Sequence, residues 1–146
     1  MLFKLRSHKS QRGAAALEFA LVFPVLLLLL IGIVDFGMLM GAQTQVANAA
    51  REGGRAGALT GMQSEAEAAA KAAIAGMPGA TNAGTKVAVA CTKPNGDSCS
   101  MVDTTADTGS TVTVTITYVH TWLSPAILSL APTITLQGQS KMRIEA

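Results

Sequence analysis

Hydrophobic positions follow three different rhythms along this chain. They run continuously from Phe19 to Val34, with no charged residue in that run, inside a stretch from Gly13 to Met40 that reads GAAALEFALVFPVLLLLLIGIVDFGMLM. A helix rises about 1.5 Å per residue, and about 20 apolar residues cross a ~30 Å hydrocarbon core, so residues 14–41 can span a membrane. The pattern continues through AQTQVANAAREGGRAGAL, which is rich in alanine and free of proline. One helix is therefore predicted from Ala14 to about Arg51, reaching roughly 25 Å beyond the membrane. Val46, Ala49, Ala50 and Ala56 form its face toward the rest of the chain, and Gly53, Gly54 and Gly57 are expected to fray or end it. Pro24 removes a backbone donor and crowds the carbonyl of Ala20, which predicts a kink or local melting. Gly37 and Gly41 make a small-xxx-small step that allows close helix approach.

The second rhythm is a short helical one. Ser64 to Gly76 (SEAEAAAKAAIAG) is almost all alanine on its apolar face, with Ile74 the one large residue. Ser64 and Glu67 are spaced as a capping box, and Glu67 and Lys71 as an i,i+4 ion pair in the favourable order. Gly76 and Pro78 mark its end.

The third rhythm is alternation. Lys86 to Thr92 places Val87, Val89 and Cys91 on one side, and Thr111 to Val119 (TVTVTITYV) places Val112, Val114, Ile116 and Tyr118 on one side and threonines on the other. Such strands bury one face and wet the other, as in an antiparallel sheet with helices on one side. The segment from His120 to Pro132 reads as a loop or short helix anchored by Trp122, Leu123, Ile127 and Leu128. A last strand spans Thr133 to Gln137 and resumes at Lys141 to Glu145 after a break at Gly138. The predicted fold class is α+β: a long N-terminal transmembrane helix continuing into a small outer domain with a short helix and about three antiparallel strands. The domain reading is a basic leader at residues 1–13, a transmembrane helix at 14–41 and an extracytoplasmic domain at 42–146.

Charge gives this layout a direction. Lys4, Arg6, Lys9 and Arg12 precede the apolar run with no acid among them, whereas beyond Gly41 seven basic residues face seven acids. The positive-inside bias puts the N-terminus in the cytoplasm and the C-terminal domain outside, which in a bacterium is the periplasmic side of the inner membrane. The net charge of +2 therefore does not point to nucleic acid, and the basic tract has no interleaved aromatic residues.

Candidate chemistry is sparse. His120 has no Ser-His-Asp or Cys-His arrangement that spacing can support, no phosphate-loop or dinucleotide fingerprint is present, and the Gly cluster after Arg51 does not follow a strand. No catalytic residue, cofactor or metal is predicted. Asp97, Asp103 and Asp107 match no calcium-loop spacing and read as solvated turn residues. Cys91 and Cys99 flank a Pro-Asn-Gly turn; a pair in an oxidising compartment is most simply a disulfide, and two cysteines without nearby His or acidic ligands make a poor metal site. Asp35 reads as a marker of the outer membrane interface. Glu18 has no such bland reading, because a carboxylate at the entry of an apolar helix is costly unless paired or interfacial.

Gly13 and Glu18 acquire a meaning together. A short basic leader, a glycine, four residues and then Glu18-Phe19 at the start of an apolar helix resembles a type IV prepilin-like processing site. The run RGAAALEFALVFPVLLLLLIGIVDFG, the Ala47 to Ala56 segment, and the tail with VTVTITY and SKMRIE are similar to the TadE-like family, pseudopilins of the tight-adherence (Tad/Flp) pilus system. Ala14 stands where many pilins carry an aromatic. The resemblance implies cleavage between Gly13 and Ala14 by a membrane prepilin peptidase, a role for Glu18 and Phe19 in assembly or recognition, and partners among other pilin-like subunits and the pilus assembly machinery. Three other classes compete. An unprocessed bitopic membrane protein could present its outer domain as a partner-binding module. A secreted protein needs a shorter apolar run and well-placed small residues after it. A membrane enzyme lacks a catalytic constellation.

Overall fold

A computed structural model of the protein describes residues 10–101, 108–122 and 133–145, with side chains from residue 13 onward at the N-terminal end. Leader residues 1–9, the turn acids Asp103 and Asp107, and the anchors Leu123, Ile127 and Leu128 lie outside the described residues. The elements are α1 (Ser10–Thr60), α2 (Gln63–Ile74), β1 (Lys86–Thr92), β2 (Ser98–Cys99), β3 (Thr111–Thr121) and β4 (Thr133–Arg143). The chain divides into two compact units, residues 1–36 and 37–146.

Within the first unit α1 runs through Pro24 without interruption. Its side chains from Leu17 to Phe36 are largely exposed. Asp35 differs from its neighbours: it is buried, at 4% exposed.

The second unit is an α+β domain. Its sheet is antiparallel, in the order β2-β1-β3-β4, so the described residues hold four strands, one of them only two residues long. Val112, Val114, Ile116 and Tyr118 of β3 are fully buried, while the intervening threonines are half-buried on the other face. The alternation of TVTVTITYV thus becomes one dry face and one wet one. Alternation continues two residues further than predicted, and His120 is an inward-facing strand residue and not part of a loop.

Glycines carry the main corrections. α1 does not end near Arg51; it continues through Gly53, Gly54 and Gly57 to Thr60 and stops at Gly61, whose φ of 66° is the left-handed turn a helix end favours. Isolated helix propensity makes three glycines a poor stretch, but packing outweighs it here. A Cβ on Gly53 would lie 2.8 Å from both the Ala66 carbonyl oxygen and the Ala70 Cβ, and one on Gly57 would lie 3.0 Å from the Ala66 Cβ and 3.1 Å from Val112. The glycines let the α1 backbone press into α2 and β3. Val46, Ala49 and Ala50 are buried on the same helix, whereas Ala56 is only half-buried.

Gly138 follows the same logic. It is not a break: β4 is continuous, with Gly138 paired to Ile116. It faces the core opposite the Val46 backbone, where a Cβ would lie 2.6 Å from the carbonyl oxygen. The strand keeps its ladder because only the side chain is missing.

α2 begins one residue earlier than its sequence indicated, and Ser64 does not cap it. The N-cap position is Met62, with no side-chain cap hydrogen bond. Glu67 instead accepts from Gln63 Nε2 at 2.8 Å and from Lys71 Nζ at 2.9 Å. Those two donors, Gln63 first, hold its carboxyl below the usual range. Ala66, Ala70 and Ile74 form the buried stripe, spaced four residues apart.

Candidate functional site

Gly13, Ala14, Glu18 and Phe19 all lie in the first turns of α1, and all are exposed. A Cβ on Gly13 would meet nothing within 4 Å, so no packing reason calls for glycine at this position. Ala14 and Glu18 are four residues apart on one helix and therefore share a face, close enough for an interaction between their polar groups. Phe19 stacks on Phe23 at 5.3 Å between ring centres. Among the described residues Glu18 joins no ion pair. The four residues form a surface strip at the start of the apolar helix and not an enclosed site.

The scissile bond proposed between Gly13 and Ala14 lies inside a helix that begins at Ser10. A peptidase needs an extended substrate. Terminal turns fray cheaply, and glycine weakens a helix by about 1 kcal/mol relative to alanine, so the bond sits where unwinding costs least.

The remaining candidates are far from this strip in the sequence. Cys91 and Cys99 are opposite each other across β1 and β2, joined by a disulfide with Cα atoms 5.0 Å apart. The bond closes the hairpin whose tip carries Asn95, Gly96 and Asp97. Asp97 accepts from the Asn95 amide at 2.7 Å, as a turn residue does. His120 is 8% exposed, its ring 5.8 Å from that of Trp122 in an edge-on contact, and its Nε2 has no hydrogen-bond partner. Sequence reasoning treated His120 as an ordinary loop residue. The signal that could have found it is the period of two, which carries on past Tyr118 to His120. Tyr118 donates its hydroxyl hydrogen bond to the Pro78 carbonyl, and burial pushes its pKa above the ordinary phenol value.

These features define a class of protein: a small disulfide-closed α+β domain on a helix that is long and apolar enough to cross a membrane. Residues 13–55 match the family model described as TadE-like protein, the family that this segment resembles. That family is a structural one, associated with the Tad pilus. No curated protein and no solved structure matches the chain.

Proposed function

We propose that the chain is a minor pseudopilin for assembly of a Tad/Flp-type adhesive pilus. It sits in the bacterial inner membrane with its N-terminus in the cytoplasm and residues 42–146 outside, and a prepilin peptidase cuts it after Gly13. The observation that carries this reading is where the family match falls. It starts at Gly13, covers the apolar helix with Glu18 at its entry, and runs to the glycine-rich seat of the domain.

Physical chemistry supports a function for the cut. Cleavage frees the α-amine of Ala14, a cation at ordinary pH, on the same face as Glu18. Pairing the two, within one helix or between neighbouring subunits, offsets the membrane cost of the carboxylate. Between subunits the same pair fixes their axial register. The glycine is then explained by the peptidase, since packing does not require it. The domain is the passenger, and the partners are the peptidase, other pilin-like subunits and the assembly machinery.

The test is the intact mass of the membrane-extracted protein, with and without a co-expressed prepilin peptidase. The mass is expected to drop by residues 1–13 when the peptidase is present, and Gly13→Leu is expected to keep its leader. Unchanged maturation of Gly13→Leu overturns the cleavage site. An intact leader on the wild-type protein under the same conditions favours the unprocessed bitopic reading.

A further inference from the structure

The hairpin tip between Cys91 and Cys99 holds a reactive pair of residues. Of the three asparagines in the chain, Asn48, Asn82 and Asn95, only Asn95 precedes glycine. The amide carbon of an asparagine is open to attack by the backbone nitrogen of the next residue. The five-membered ring closes fastest where that residue has no Cβ to crowd it. Asn95, Gly96 and their neighbours from Thr92 to Ser98 are all exposed, so water and base reach the site.

The folded turn holds this pair apart. Gly96 N donates to the Lys93 carbonyl at 2.9 Å, and Lys93 N donates to the Asp97 carbonyl at 2.7 Å. Pro94, Asn95 and Gly96, the last at φ 92°, thus form a three-residue hairpin loop that ends on a left-handed glycine. The attacking nitrogen keeps its proton pointed at a carbonyl oxygen. Asn95 Nδ2 donates to Asp97 Oδ2 at 2.7 Å, and Asn95 Oδ1 accepts from Asp97 N at 3.1 Å. Both polar atoms of the amide are tied to the residue beyond the glycine, so its carbon is not free to swing onto the Gly96 nitrogen. Ring closure needs the turn to open.

What keeps the turn closed is covalent. β2 is two residues long and pairs only Ser98 with Thr92 and Cys99 with Cys91. A ladder of that length has little stability of its own, and the Cys91–Cys99 bond holds the two ends of the loop together. We propose that Asn95 is a deamidation site guarded by this disulfide: chains with the bond formed keep the asparagine, and chains with free thiols lose it. In the open loop Gly96 N bonds to Asn95 Cγ as its proton passes to solvent. The Cγ–Nδ2 bond breaks, and ammonia leaves after taking up a proton. Water then opens the ring at either carbonyl, leaving aspartate or isoaspartate at position 95; no electrons are exchanged. Aspartate sets a second carboxylate against Asp97 Oδ2 where an N–H donor stood, and isoaspartate lengthens the main chain of the loop by one carbon. Each product weakens the turn that protected its precursor, so the change marks a chain whose disulfide failed to form. This inference rests on the turn and the disulfide and not on the pilus role.

The experiment incubates the full chain in detergent and mildly alkaline buffer, with heavy-oxygen water as tracer. Peptides covering Asn48, Asn82 and Asn95 are followed by mass spectrometry. Wild type with its disulfide is compared with wild type kept reduced by a dithiol, with Asp97→Ala, and with reduced chain unfolded in guanidinium, which sets the ceiling rate. Deamidation through an opened loop follows the population of that loop. The reduced chain is therefore expected to deamidate at Asn95 roughly thirtyfold faster than the oxidised one, the factor that matches the lower end of what a disulfide contributes. Aspartate and isoaspartate are both expected, with Asn48 and Asn82 unchanged. Asp97→Ala keeps the disulfide, releases the Asn95 amide, and is expected to deamidate about three- to tenfold faster than oxidised wild type, the span of one hydrogen bond. This variant carries the test where reduction unfolds the domain, as read from the near-ultraviolet signal of Tyr118 and Trp122. Equal Asn95 rates in oxidised and reduced chains overturn the guard, as does an oxidised chain that already reacts at the ceiling rate. An Asp97→Ala rate equal to that of oxidised wild type overturns the hold of the turn on the amide. Aspartate without isoaspartate overturns the ring route.

Discussion

Gly138→Ala adds one methyl group where α1 crosses β4, and its cost can be worked from the contact it makes. The new Cβ would lie 2.6 Å from the Val46 carbonyl oxygen, 2.8 Å from the carbonyl carbon and 2.9 Å from Cγ1. The first contact is about 0.8 Å short of ordinary van der Waals distance, and two of the three are to backbone. A side chain can rotate away, but a helix backbone held by its own hydrogen bonds has to move as a body. Overpacking of this kind costs about 1–3 kcal/mol, and the rigid partner places this site at the upper end. Against it stands a gain of about 0.4–1 kcal/mol, because alanine restricts the unfolded chain more than glycine does. The net expectation is a loss of about 2 kcal/mol, or roughly 8–16 °C in Tm for a domain near 100 residues. The assay is thermal unfolding of the full chain in detergent, followed by the near-ultraviolet signal of Tyr118 and Trp122. Far-ultraviolet helix signal is a poor probe, since the apolar part of α1 contributes to it however the domain behaves. Adding Val46→Ala removes only the Cγ1 contact and is expected to give no rescue. Gly76→Ala, whose Cβ meets nothing within 4 Å, is the control and is expected to stay within about 0.5 kcal/mol. A Gly138→Ala protein as stable as wild type, or full rescue by Val46→Ala, refutes the close backbone seat.

Further expectations concern separate parts of the molecule. The raised pKa of Tyr118 means that the folded state holds the phenolic proton more tightly than the unfolded one; its contribution is complete below about pH 10 and is lost as pH rises through the folded value. Tyr118 is the sole tyrosine, so phenolate absorbance of the folded protein is expected to titrate above pH 10 and that of the denatured protein near it. Cys99→Ser opens a small ring of backbone and is expected to lower stability by about 2.5 kcal/mol in urea, with no such difference when wild type and variant are compared under reducing conditions. Glu18→Ala is expected to be cleaved like the wild type yet give reduced pilus output on an immunoblot of sheared fibres; undiminished output removes the assembly role from Glu18.

The parts of the fold that depend on period were readable in the sequence. The apolar run and the Val112-Val114-Ile116-Tyr118 alternation name their elements directly, because each needs only a local count of where hydrophobic residues recur. The four α1 and β4 glycines were misjudged for one shared reason. Local propensity treats Gly53, Gly54, Gly57 and Gly138 as weak points, and only the tertiary approach of Ala66, Val112, Ser140 and Val46 shows why a side chain is excluded. The Ser64 capping box failed differently: Gln63 competes for Glu67 from one turn earlier, and the helix starts at that residue instead. The strip from Gly13 to Phe19 stands out as a candidate in the sequence because it is defined by spacing along the chain. The juxtaposition of Met38, Met77 and His120 does not, since these residues are brought together only by the packing of three separate segments.

The glycine seat also has a mechanical meaning. Val46 fits its backbone against Gly138, and Gly53, Gly54 and Gly57 fit theirs against Ala66, Ser140 and Val112, like the wards of a key. Sliding α1 by one residue, about 1.5 Å, turns its surface by about 100° and brings Cβ atoms to places that accept only hydrogen. A pull along the helix axis is then resisted by shape, at several points in series, and not by charge. Among these contacts nothing titrates and nothing is screened, so the grip on the helix is expected to hold at the same force in fresh water and in brine.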